Sequence, residues 1–311
     1  MTKGGAVSSA PLLFHSVSPS PLSAKSLRSF FRVHIITIII NIYRTVMSDF
    51  SLVLQMAALG TGFCFLMTTL GAASVLFTGK ESSPAFQRIS LGFAAGIMVA
   101  ASVWSLLIPS LEASSKDAIP WLPATGGFVL GIAFLLLMDK TIPHWHPAED
   151  SPEGPKSNHS RTELLVAAVT LHNIPEGMSV GLAFAMAAIT GEASTLFAAG
   201  ALALGIGIQN IPEGAAVALP LKDAGQSRVK AFIGGSLSGI VEPIFGILVV
   251  FAASFIQPYM PWLLGFAAGA MMFVVVEELI PAAHLDSKRH DSTLAVMAGF
   301  LLMMVLDTSL G

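Results

Sequence analysis

The sequence predicts an all-α membrane protein, with eight transmembrane helices arranged as an inverted repeat of three, two and three. Three observations carry this. Of the 311 residues, 54% are hydrophobic and only 11% charged, against about 25% charged in a soluble domain. The apolar runs recur at ~20 residues, the length that crosses a bilayer, and lack the alternation of β-barrel strands. Finally, segments of the first half reappear in the second. The net charge of −3 offers nothing to nucleic acid, and the single cysteine, Cys64, excludes an internal disulfide.

The predicted helices cover about 50–77, 86–111, 120–141, 163–189, 193–220, 229–256, 260–284 and 292–310. Residues 1–46 form a low-complexity N-terminal segment ahead of the eight-helix region 47–311. Within it Lys25, Arg28 and Arg32 precede the short run "VHIITIIINIY". An extra short helix, a signal-like segment, or upstream translation with Met47 as the start would each account for it, and the last is favoured. Residues 140–162 form a polar loop containing His144, His146 and His159. His-x-His near acids can bind metal weakly; a solvated loop is the equal alternative.

Charge sets the orientation. Lys80, Arg88, Lys140, Lys156, Arg161, Lys222, Arg228, Lys230, Lys288 and Arg289 all fall in loops 1–2, 3–4, 5–6 and 7–8 or at the helix ends beside them, whereas the opposite loops hold only Lys116. By the positive-inside rule the former loops are cytoplasmic and the C-terminus is outside.

The repeats sharpen the picture. "LGFAAGIM" at 91–98 returns as "LGFAAGAM" at 264–271, and "HNIPEG" at 172–177 as "QNIPEG" at 209–214. In each pair the two helices run in opposite directions. Inverted repeats of this kind mark many secondary transporters, whose substrate sites lie near the midplane.

Within the fourth predicted helix, His172 and Glu176 are spaced i, i+4 and share one face. Pro175 cannot donate a backbone hydrogen bond and displaces a carbonyl. Gly177 permits close approach of a neighbouring backbone. The fifth helix repeats the pattern with Gln209, Asn210, Pro212, Glu213 and Gly214, and the sixth adds Glu242 before Pro243. A charge at mid-membrane costs at least ~2.5 kcal/mol. No Lys or Arg lies within 162–221 or 231–256, so the compensating cation is a bound metal ion, protons, or both. Imidazole and carboxylate without thiolate suit Zn²⁺ and neighbouring divalent ions. A zinc protease would carry His-Glu-x-x-His on a helix, which this helix lacks.

The paired "HNIPEG" and "QNIPEG" motifs resemble those of the ZIP metal transporters, in particular the prokaryotic-type branch, over about 50–311. The resemblance implies uptake of Zn²⁺, and also of Cd²⁺, Fe²⁺ and Mn²⁺, across the cytoplasmic membrane, with no enzymatic activity and no organic cofactor. It implies a binuclear metal site and elevator-type alternating access. Helices 1, 4, 5 and 6 would move as the transport unit against a scaffold of 2, 3, 7 and 8 that forms a homodimer. Carried over, one metal position uses His172, Glu176, Gln209 and Glu213 with Met98 nearby. The other uses Asn173, Asn210, Glu213 and Glu242, with Glu213 bridging. Some relatives have Asp where this chain has Asn210, which weakens the second position. Glu277, Glu278 and His284 are candidates for the cytoplasmic exit, with His144 and His146 as further loop candidates. A proton-coupled carrier of another substrate, using the buried glutamates as proton sites, is the alternative function.

Overall fold

A computed structural model describes residues 24–77, 84–144, 154–156, 160–255, 257–283 and 290–310. The chain forms two compact units, Met1–Ser48 and Asp49–Gly311; every candidate site residue belongs to the second. Every regular element described is a helix. In order they are α1 (Ala24–Phe77), α2 (Pro84–Ala101), α3 (Ile108–Ala113), α4 (Leu122–Thr141), α5 (Arg161–Thr190), α6 (Ala193–Asp223), α7 (Arg228–Ser238), α8 (Val241–Phe255), α9 (Met260–Val274), α10 (Ile280–Ala282) and α11 (Asp291–Leu310).

Among the described residues, seven segments are long and apolar enough to cross a membrane: Phe50–Phe77, Ala85–Ala113, Leu122–Thr141, Ala193–Asp223, Arg228–Ala253, Gln257–Ala282 and Asp291–Leu310. All lie within a few residues of the predicted runs. Helix α5 matches the remaining prediction and, at 30 residues, is long enough. It falls outside the seven because His172, Asn173, Pro175 and Glu176 occupy its middle. Large apolar side chains such as Leu59, Phe197 and Leu301 are exposed, the surface a bilayer covers and water would not tolerate in quantity.

Small residues let the helices touch backbone to backbone, as expected where lipid supplies no hydrophobic drive. Gly96 of α2 lies against the carbonyl of Val296 in α11, and Gly299 of α11 against that of Phe93. The same contacts recur between α4 and α9: Gly269 meets the Phe128 carbonyl and Gly131 that of Phe266. Phe93 and Gly96 hold the same places in the first "LGFAAG" segment as Phe266 and Gly269 in the second. Both segments then run, at the same offset, into a π-helical stretch: Ser102–Leu107 after α2 and Val275–Leu279 after α9.

The sixth predicted helix, expected to be continuous, is broken at Gly239–Ile240 into α7 and α8. Pro243 explains the break. It has no N–H to continue the ladder, and its ring excludes the carbonyl four residues back, which belongs to Gly239. The chain tightens to three-residue bonds there: Gly239 N–H donates to Ser236 O at 3.2 Å and Glu242 N–H to Gly239 O at 3.1 Å. Helix α5 starts on a reciprocal capping box, in which Ser160 N–H donates to Glu163 Oε2 at 2.8 Å.

The two Asn-Ile-Pro-Glu-Gly segments are seated alike. Gly177 packs on the carbonyl of Glu242, and Gly214 on the carbonyl of Thr68. A Cβ at either has no space that a flexible side chain could yield. Gly177→Val and Gly214→Val should each destabilise the protein by about 1–3 kcal/mol, the usual range for overpacking. Detergent-solubilised protein is the material for the check; unchanged melting in both variants would show that these crossings are loose.

Candidate metal centre

The candidate ligands on the three central helices are all buried. Asn173, Asn210 and Glu242 are wholly so; His172, Glu176, Gln209 and Glu213 are at most 8% exposed. Helix α5 supplies His172, Asn173 and Glu176, helix α6 supplies Gln209, Asn210 and Glu213, and Glu242 opens helix α8. With Glu242 N–H bonded to Gly239, the Ser238 carbonyl loses its helical partner and accepts from Asn173 Nδ2 at 3.1 Å. The break in the sixth span and the asparagine of the fourth thus satisfy one another.

A second network joins α6, α8 and α1. Asn210 Nδ2 donates to Glu242 Oε2 at 3.0 Å and to the Cys64 carbonyl at 3.3 Å. Gln209 Nε2 donates to Asn210 Oδ1 at 2.8 Å. Thr68 Oγ1 donates to Glu242 Oε1 at 3.1 Å. Sequence reading missed Thr68. A hydroxyl in an apolar helix usually returns to its own backbone, and only the fold brings it to Glu242.

Two buried oxygens in this region, Asn173 Oδ1 and Glu176 Oε2, have no hydrogen-bond partner. Buried polar atoms of native proteins are rarely left so, and an ion is one explanation. Both are oxygen donors that a divalent cation accepts. Among the described residues, no three His, Cys, Asp or Glu side chains stand close enough to hold one ion by themselves. The amides of Asn173, Gln209 and Asn210 would therefore have to share the work.

A model of the family described as "ZIP Zinc transporter" matches residues 156–307. Zinc transporter ZIP11 of Homo sapiens is 36% identical over 335 residues, covering 82% of this chain and 97% of the relative. Zinc transporter GufA of Myxococcus xanthus is 37% identical over 248 residues, covering 78% of this chain and 94% of its own. Zinc transporter ZIPB of Bordetella bronchiseptica is 36% identical over 261 residues, with 82% and 81% covered. The chain belongs to the ZIP zinc transporter family. It is a multi-pass membrane protein, and the family is one of transporters rather than enzymes.

Around the central cluster, the structure sorts the other candidate residues of this ZIP chain. Glu278, in the second π-helical stretch, pairs with His172. Its neighbour Glu277 is exposed and lines a cavity of about 540 Å³ with Leu136, Asp139, Lys140, Gly154, Pro155 and Phe273. Met98 is buried in the main apolar core, its carbonyl accepting from Ser102 Oγ at 2.8 Å. His144 corrects an expectation: it is not a solvated loop residue but fully buried. Its Nδ1 lies 2.7 Å from the Ile142 carbonyl and its Nε2 3.7 Å from Asp139. The chain turns back immediately after α4, so this histidine belongs to the end of that helix and not to the loop. His146 and His284 lie outside the described residues. Cys64 is buried, its Sγ 3.5 Å from the Ala203 carbonyl.

Proposed function

We propose that this protein imports divalent transition-metal cations across the cytoplasmic membrane, zinc foremost and Cd²⁺, Fe²⁺ and Mn²⁺ with it, through a midplane binuclear site. One observation carries the reading. Glu176, Glu213 and Glu242 are buried in membrane-spanning helices with no Lys or Arg in 162–221 or 231–256. Anions so placed require a cation that the protein itself does not supply. The first metal position takes His172, Glu176, Gln209 and Glu213, with Met98 at its edge; the second takes Asn173, Asn210, Glu213 and Glu242. The relatives named as zinc transporters favour zinc as the cargo.

The transporter has eight membrane helices in the three-two-three inverted arrangement, α5 being the fourth. The stretch of α1 from Phe50, with α5, α6 and α7–α8, forms the moving unit. Helices α2–α3, α4, α9–α10 and α11 form the scaffold, through which two copies pair. The backbone contacts at Gly177 and Gly214 fall inside the first group, and those at Gly96, Gly131, Gly269 and Gly299 inside the second, which supports this partition. Loops 1–2, 3–4, 5–6 and 7–8 face the cytoplasm, and the C-terminus the outside, on the strength of their Lys and Arg. Glu278 and Glu277 lead toward the cytoplasmic exit.

The deciding experiment is uptake of zinc, cadmium, manganese and iron in parallel into sealed proteoliposomes, with Glu213→Ala as the control. Metal-independent function, or uptake equal to that of the control, would defeat the reading. Acidification supplies a further expectation. Ligands must be deprotonated to bind metal, so protons compete. Zinc uptake should therefore fall on acidification. A rate that stays flat or rises on acidification would instead favour the proton-coupled carrier.

A further inference from the structure

The paired glycine contacts relate two side chains that the sequence does not. Gly177 and Gly214 are equivalent positions of the two Asn-Ile-Pro-Glu-Gly segments. The first sits on the backbone of Glu242 and the second on the backbone of Thr68. Thr68 therefore occupies, on α1, the place that Glu242 occupies on α8. His172 corresponds in the same way to Gln209, Asn173 to Asn210 and Glu176 to Glu213. Seven of these eight positions make up the central cluster of the two motif helices and α8; Thr68 completes it.

The hydrogen bonds show what Thr68 does there. It is fully buried, and its one hydroxyl proton has two acceptors in reach, Glu242 Oε1 at 3.1 Å and the Cys64 carbonyl at 3.2 Å. The Cys64 carbonyl is already served by Asn210 Nδ2, whose second proton goes to Glu242 Oε2. Thr68 is the donor left for Oε1. The Glu242 carboxylate is thus gripped at both oxygens by neutral donors from two different helices, and its plane is fixed. Gly239 leaves the space: a Cβ there would come within 3.0 Å of Thr68 Cβ and 2.9 Å of Glu242 Oε1.

We infer that Thr68 is a positioning residue for transport, holding the Glu242 carboxylate in the orientation in which it meets a divalent cation. This rests on the assignment of Glu242 to the metal site. A carboxylate oxygen keeps a second lone pair while it accepts from a hydroxyl, so the grip and the cation are compatible, and partners that orient a metal ligand typically govern ~10–100-fold in affinity or activity.

The test is a double-mutant cycle on zinc uptake in proteoliposomes at equal protein loading: wild type, T68V, T68S, E242Q and T68V/E242Q. Valine keeps the shape and removes the hydroxyl. T68V should lower uptake kcat/KM about tenfold, T68S should restore it to within about twofold, and T68V should add nothing to E242Q. Melting of each detergent-solubilised variant separates misfolding from loss of orientation, and T68S remains informative if T68V fails to fold. Wild-type uptake by T68V overturns the inference. So does a T68V defect that persists undiminished in the E242Q background, since Thr68 would then act through some other group, while the metal-site reading stands. Wild-type uptake by E242Q would remove that reading of Glu242 and this inference with it.

Discussion

Glu213→Ala is expected to reduce zinc uptake by at least about 100-fold, beyond the ~10–100-fold typical of a group that merely orients a ligand, while leaving membrane insertion intact. Glu213 is assigned to both metal positions, so its loss removes a ligand from each and the anion shared between them. The alanine also relieves a buried charge, so the folded protein should not suffer in proportion. His172→Ala and Glu176→Ala should follow the same course, and each removes a ligand from the first position only. Glu242→Ala, acting at the second position alone, should be milder than Glu213→Ala. Radiotracer uptake, normalised to protein in the membrane fraction, measures all four. Normal rates in any two of the first three would dissolve the assignment.

The second large effect concerns Asn210. Two divalent cations bring four positive charges, and Glu176, Glu213 and Glu242 together supply three negatives when ionised. The amide of Asn210 is moreover neutral, with both Nδ2 protons committed to Glu242 and the Cys64 carbonyl and its Oδ1 already accepting one hydrogen bond from Gln209. The second position here should accordingly be weak once the first is filled, tuning release rather than permitting transport. Asn210→Asp reverses this. An aspartate cannot donate to Glu242, and two carboxylates at such a separation need a cation between them. Unit charges ~4 Å apart interact by about 4 kcal/mol at an effective dielectric of 20, and each 1.4 kcal/mol is about tenfold. Allowing for desolvation, second-ion binding should tighten by at least about 100-fold, or release of the first ion should slow. Equilibrium titration of purified protein with zinc decides it. Two equally tight ions in wild type, with Asn210→Asp altering neither number nor affinity, would refute the charge argument.

What was legible in the sequence came from length and cost. Apolar runs of bilayer length located the helices, because nothing else explains so many Leu, Ala, Val and Phe in succession. The polar residues of the motif helices stood out because each is expensive in lipid. The same polarity keeps α5 out of the seven most apolar spans. What stayed hidden depended on contacts between distant segments. Pro243 and Gly239 did not announce the break between α7 and α8, since prolines at 175 and 212 sit in helices that continue. Nor could spacing pair His172 with Glu278, or Thr68 with Glu242, which meet only after helices far apart in the chain have packed. His144 was misjudged for a related reason: it opens a Pro-, Ser- and charge-rich segment, but its neighbours in space are Ile142 and Asp139 at the end of α4.

The interruption at Gly239–Ile240 also places two half-helix ends inside the membrane. Aligned peptide dipoles give a helix roughly half a positive charge at its N-terminus and half a negative charge at its C-terminus. Helix α8 begins at Val241, so Glu242 lies in its first turn, over the positive end, which offsets part of the cost of holding an anion there. Helix α7 ends at Ser238, and its terminal carbonyls present the negative end to the same region. A cation arriving beside Glu242 therefore meets a fixed backbone field as well as side chains. That field belongs to the backbone, without a titratable group and without dependence on pH.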